Sequence, residues 1–169
     1  FYNANADDGV SWVDDKPARC GYESWKQLAA KLGPLLRKSN QALFVNPHPM
    51  RQELLREVDG VYTEFGCDTG AFNAVGLMCL KMPALAWTVN ENFRKEDPHE
   101  FFQRHLYLGV YPTAPYPNNN HCITPDPARD RHYLDYGPLL DALRGKKWVL
   151  APHCVECASP EVKVNLFQV

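Results

Sequence analysis

Short apolar runs that each exit into polar residues recur along this chain: Ala42 to Val45, Val61 to Phe65 and Ala84 to Thr88. Runs of this length are strand-sized. Segments of helical period separate them, and successive runs lie only about 20 residues apart, tight even for βαβ units. Strands alternating with helices imply a parallel sheet, so the expected class is α/β. From Glu23 to Arg37 an apolar stripe is formed by Trp25, Leu28, Ala29, Leu32, Leu35 and Leu36, the signature of an amphipathic helix. Ser24 is its candidate cap, and Pro34 is expected to kink or end it. Arg51 to Val58 and Ala71 to Leu80 read as further helices. So does Pro98 to Leu108, with Phe101, Phe102, His105, Leu106 and Leu108 as its core set. Tyr133 to Arg144 resumes a helical pattern, which Gly145 ends.

A closed (β/α)8 barrel takes about 250 residues, and this chain has 169. Four or five βα units correspond to the C-terminal half of such a TIM-type barrel. Residues 1–145 would then be a partial barrel, about strands four to eight, and 146–169 the start of a β-rich domain. Phe1 to Ala6 is read as the first strand, leading into the turn Asp7-Asp8-Gly9. Val110 to Arg131 is proline-rich and aperiodic, as functional loops often are. Lys147 to Ala151 and the segment from Val162 onward read as strands. A chain that opens at Phe1 and closes on an alternating segment is expected to be part of a longer protein or a larger assembly.

A net charge of −2 gives no electrostatic footprint for nucleic acid. No apolar run approaches the roughly 20 residues of a membrane span. Six cysteines permit three disulfides and leave the compartment open, the secretory route included. His153, Cys154 and Cys157, with His121 and Cys122, are the candidate metal ligands. A single Cys-x-x-Cys without a second spaced pair is a weak zinc signal, and a disulfide or buried thiols compete with it. No metal or cofactor is assigned. Asp14-Asp15 reads as a solvated turn.

The candidate chemistry gathers at strand ends, where barrels build active sites. Asp7 closes the first strand and shares the parity of Asn3 and Asn5. Glu64 ends the third and shares a face with Tyr62. An apolar strand seldom buries a carboxylate without cause. Two carboxylates across a cleft are the minimum set for cleaving a glycosidic bond. The plainer alternative is that Asp7 caps a turn and Glu64 pairs with a buried arginine. Asp8 points the other way and is better placed to bind backbone N–H groups. Asn46 and His48 leave the second strand, and Thr88, Asn90 and Glu91 leave the fourth; loop polarity alone also explains them. Trp12, Trp87, Tyr111 and Tyr116 suit the apolar faces of sugar rings, with core packing as the competing reading for Trp87. Trp25 is assigned to the core.

The phrase Asp59-Gly60-Val61-Tyr62-Thr63-Glu64 and the run Leu139 to Leu150 carry a resemblance. The chain is similar to the C-terminal half of a TIM-barrel glycoside hydrolase of the α-galactosidase-like, retaining kind. The resemblance implies that Tyr2 to Asp7 is strand four, Ala42 to Asn46 strand five, Val61 to Glu64 strand six and Ala84 to Thr88 strand seven. It further implies Asp7 as nucleophile and Glu64 as general acid/base. Asn46, His48, Tyr62, Trp87, Asn90 and Tyr111 would bind a carbohydrate substrate. A catalytically inactive barrel used for carbohydrate binding or structure is the alternative.

Overall fold

The computed structural model describes residues 2–46, 52–63, 82–86, 97–114 and 125–169. The chain divides into two units: 1–44 with 50–59, and 45–49 with 60–169.

In the first unit, β1 (Tyr2–Asn3), β2 (Ser11–Val13) and β3 (Lys16–Cys20) form an antiparallel sheet of order β1-β3-β2. The expected parallel strand from Phe1 to Ala6 is therefore corrected: β1 pairs antiparallel with β3, Tyr2 opposite Cys20. The strand stops after Asn3 because the Asn3 side-chain oxygen accepts the Asn5 N–H at 2.9 Å, an Asx turn that draws the backbone out of the ladder. β2 and β3 are joined through Asp14 and Asp15, both with positive φ, 49° and 57°. Aspartate tolerates this region better than most residues, and two such residues in succession make a hairpin turn whose twist matches its strands.

Helix α1 (Gly21–Lys38) follows β3 without a loop. Its cap is Cys20 rather than Ser24, and no side chain caps it. The backbone of Cys20 is held from outside the helix, by Asp8 at 2.8 Å. The helix also runs through Pro34 to Lys38. Its last turn is held by Arg37, whose guanidinium reaches Asp59 at 3.2 Å and Glu57 at 3.5 Å. Asp59 in turn accepts the Leu43 N–H and donates its own N–H to the Leu43 carbonyl, both at 2.9 Å. Gly33 is buried against the Glu57 carbonyl, with no room for a Cβ. Leu28 and Leu35, placed on the buried stripe from sequence, are 61% and 59% exposed, while Ala29 is buried; Trp25 is half-buried. The expected helix over 51–58 is a single 3-10 turn, Gln52–Leu55, whose Leu54 and Leu55 are buried.

The second unit contains β5 (Gly60–Thr63), β6 (Ala84–Ala86) and β7 (Tyr111–Pro112), in a sheet of order β4-β5-β6-β7 whose first strand is β4 (Phe44–Val45). The β5–β6 and β6–β7 pairs are parallel. Among the described residues the strands make three separate sheets, and none closes on itself. Helix α2 (Pro98–Leu108) has the expected bounds. Asp97 accepts the N–H groups of His99 and Glu100, and Pro98 occupies the first turn, where its missing N–H costs nothing. Gly109 ends the helix in the left-handed region, φ 62°. Helix α3 (Pro127–Asp141) starts earlier than expected, capped by Asp126. Asp126-Pro127 is a helix start, so the aperiodic loop is shorter than its composition indicates.

Phe101, Phe102 and Leu140 form the core between these helices. Tyr136 stacks on Phe102 at 4.7 Å, and Tyr133 meets its edge at 4.9 Å. His105 is fully buried, its Nδ1 2.8 Å from the Phe101 carbonyl. A carbonyl only accepts, so Nδ1 carries the proton. Burial, with Arg104 adding to it, pushes the His105 pKa down to about 4, and the ring stays neutral. The tail ends in β8 (Lys147–Trp148) paired antiparallel with β9 (Phe167–Gln168). Cys20, Cys154 and Cys157 are free thiols, Cys20 buried and the other two exposed.

Two substitutions separate backbone strain from packing. Gly109→Ala and Gly145→Ala both force a left-handed residue, which costs about 1 kcal/mol. Only at Gly109 does the new Cβ meet the Lys146 stem and Phe167 at under 3 Å. Urea unfolding should show Gly109→Ala the less stable by at least about 1 kcal/mol; equal losses would remove the packing argument. The second prediction concerns His105. Its folded pKa lies below the ordinary 6.5, so the unfolded chain takes up the proton first as pH falls. Stability is fully present above 6.5 and is lost down to about 4, by at most on the order of 3 kcal/mol. In His105→Gln the loss across that window should be smaller; an unchanged slope would show that His105 is not its source.

Candidate functional site

The exits of β5, β6 and β7 are the region where a parallel sheet gathers its chemistry. Register places Tyr62, Leu85 and Tyr111 in one row across the three strands, and all three are half-buried. The opposite face carries Val61, Ala84 and Ala86, each at most 1% exposed. Small residues there let another layer approach closely. The ladder continues past β7, where the Thr113 N–H donates to the Ala86 carbonyl at 3.0 Å. The Tyr133 hydroxyl of α3 then donates to the Thr113 carbonyl at 2.8 Å. Burial raises the Tyr133 pKa well above the usual phenol range, so it remains a donor at all physiological pH. Sequence pattern gave no sign of this anchor, because a tyrosine on a helical stripe reads as core.

Tyr111 stands at the start of β7, not its exit. Its hydroxyl donates to the Leu143 carbonyl at 2.8 Å, and its ring packs with the α2–α3 core. Burial raises its pKa, and the Asp141 carboxylate adds to that. Next to it lies a cavity of about 530 Å³, lined among others by Met82, Leu85, Tyr111, Leu140, Asp141 and Arg144. Met82 and Pro83 lead into β6, so the cavity opens at strand entries. Asp141 is the single acid among its described lining residues, and it is paired with Arg144. Such walls suit an apolar solute and do not present two carboxylates to a glycosidic bond.

Asn46 follows β4 and is exposed. Glu64, His48, Trp87 and Asn90 lie outside the described residues, as do Thr88, Glu91, Tyr116, His121 and Cys122. Asp7 belongs to the first unit, exposed in the loop between β1 and β2, where its Oδ1 accepts the Gly9 N–H at 2.7 Å. That is the turn-capping arrangement set out above as the plainer alternative. Asp8 beside it is more deeply engaged. One oxygen accepts the N–H groups of Val10 and Ser11, at 3.1 and 2.8 Å; the other accepts the Ser11 hydroxyl and the Cys20 N–H, both at 2.8 Å. The Cys20 N–H and its companions hold the Asp8 pKa down to about 2. All four donors stabilise the charged form. Among the described residues no group of three or more His, Cys, Asp or Glu side chains converges on a metal-sized site.

Comparison of the chain with family models, curated proteins and solved structures finds no match.

The Asp8 network makes a prediction with a definite sign. Its folded pKa of about 2 lies below the ordinary 3.8, so the stabilisation is present above 3.8 and disappears as pH falls toward 2. Asp8→Asn keeps the shape and removes the charge. Melting curves recorded through that range should be steeper in pH for the wild type than for Asp8→Asn; parallel curves would show that the carboxylate does not stabilise the strand–helix junction.

Proposed function

We propose that the chain has a glycoside-hydrolase-type function, cleaving O-glycosidic bonds of a glycan or polysaccharide at the exits of its parallel strands. The observation that supports this is the in-register parallel set β5–β6–β7, whose last exit is fixed by Thr113 and Tyr133. A two-carboxylate mechanism needs groups placed to a fraction of an ångström, and a rigid strand end meets that need better than a free loop. Glu64 is the residue directly after β5 and would be the general acid/base. Asp7, the nucleophile expected from sequence, belongs to the first unit, and its role rests on the Asp7→Asn variant. Asn46, His48, Tyr62, Trp87 and Asn90 would form the sugar-binding walls; Tyr111, at the start of β7 with its hydroxyl on the Leu143 carbonyl, is not one of them.

One observation favours the second reading, a carbohydrate-binding module without turnover. Asp7 spends one carboxylate oxygen on a turn N–H, in a loop between antiparallel strands rather than at a barrel rim. The test is hydrolysis of aryl glycosides and polysaccharides by the wild type, Glu64→Gln and Asp7→Asn. Removing a general acid or base should cost about 10²- to 10⁴-fold in rate, with an unchanged melting temperature. Glycan binding without turnover in all three forms would establish the module instead. Neither turnover nor glycan binding would end both readings.

A further inference from the structure

Registers in the first unit sort its sheet into two unlike faces. Ser11 lies opposite Ala18 and Tyr2 opposite Cys20, and Ala18 and Cys20 are buried at 0% and 5%. The other face holds Trp12 opposite Pro17 and Asn3 opposite Arg19. All four are exposed, Trp12 at 63%. An indole two-thirds exposed on the flat of a sheet offers a planar apolar surface with a polar handle. Arg19 lies two residues along β3 from Pro17, which makes it a diagonal neighbour of Trp12, about 7–8 Å away between Cα atoms. That is the breadth of one sugar ring with its substituent. Arg19 has no ion-pair partner among the described residues, and no residue of this face bears a carboxylate. The acids of the hairpin tip, Asp14 and Asp15, lie beyond Val13 and Lys16, on the side away from Arg19. Asn3, itself exposed, uses its oxygen on the Asn5 N–H, so its amide NH₂ is the group left to donate.

We propose that this face is a binding platform for a uronate residue of an acidic glycan. The C–H face of the pyranose stacks on Trp12 and Pro17. Arg19 pairs with the carboxylate through its planar fork, and the Asn3 amide donates to a ring hydroxyl. Charge complementarity selects the acidic sugar: an unopposed guanidinium beside an apolar plate fits an anion with an apolar face. The class of ligand rests on the carbohydrate reading above, while the platform uses none of the residues placed in its chemistry.

Calorimetric titration of the full chain with a linear oligogalacturonate, and with its carboxyl-reduced form, tests this. Saturable binding of the acidic oligomer is expected, weakened about tenfold or more in Trp12→Ala and in Arg19→Ala, less in Arg19→Lys. The carboxyl-reduced oligomer should bind the wild type about tenfold more weakly, and Arg19→Ala should not weaken it further. Both side chains are exposed, so either variant tests the platform if the other unfolds. No saturable binding, wild-type affinity in both variants, or preference for a single-stranded oligonucleotide at the same residues would overturn the proposal. Binding through Trp12 without turnover in any form removes only the hydrolase reading. Turnover that depends on Glu64, with Trp12→Ala binding unchanged, removes only the platform.

Discussion

Two-residue strands satisfy few of their own backbone groups, and β1, β4, β7, β8 and β9 are all of that length. Buried or half-buried N–H and C=O groups at their ends must be paired by something else. Here polar side chains do it. Asp8 takes three backbone N–H groups, and Asp59 takes that of Leu43. Tyr111 and Tyr133 donate to the carbonyls of Leu143 and Thr113, and the Asn165 amide donates to the Tyr107 carbonyl at 2.6 Å. Remove these bonds and the short strands have no reason to stay registered. A carboxylate near a strand end in this chain therefore owes its position first to backbone pairing, and only what is left over is available for chemistry.

In the second unit the same constraint is met from the helices. Phe102 is enclosed by the rings of Phe101, Tyr133 and Tyr136, which fixes α3 against α2. Fixing α3 places the Tyr133 hydroxyl where β7 leaves the sheet. One aromatic cluster thus supplies the apolar burial of the unit and the anchor of its strand exit. His105 belongs to this cluster as a neutral, hydrogen-bonded ring 4.3 Å from Phe101. Its chemistry as a base is suppressed by the burial that makes it a good core residue.

Helix α2 was legible to the residue because three independent signals agree: Asp97 and Pro98 at its start, an apolar period, and Gly109 at its end. The parallel relation of β5 and β6 was legible from their apolar runs; the spacer read as a helix, Ala71 to Leu80, lies outside the described residues. The first strand was not, because alternating Asn3, Asn5 and Asp7 looks like a polar stripe on an extended strand. Asn3 and Asp7 make Asx turns instead, and a period of two cannot distinguish side chains that share a face from side chains that bend their own backbone. Helix α3 was shortened for a related reason, since Asp126-Pro127 belongs equally to loop and helix-start vocabularies. Of the candidate site, Asp8 was correctly assigned to backbone N–H groups from its parity alone. The role of Tyr133 depends on a partner twenty residues away, which no local pattern encodes.

The two carbohydrate surfaces argued for this chain make different physical demands. Bond cleavage requires the reacting groups to be pre-positioned, because any freedom they keep must be lost on the way to the transition state. That points to strand exits whose backbone is anchored, such as that of β7, held through Thr113 by Ala86 and Tyr133. Recognition of a sugar face requires exposed planar surface that pays little rotamer entropy on binding. Trp12 and Pro17 meet that requirement, one with two side-chain torsions and the other with a closed ring, on strands whose register is set by their tight turn. The cavity beside Tyr111 meets neither demand: it lies at strand entries, and the single acid among its described lining residues, Asp141, is paired with Arg144. A search for glycan contacts on this protein therefore belongs at the exits and on the open face of the first sheet rather than in the cavity.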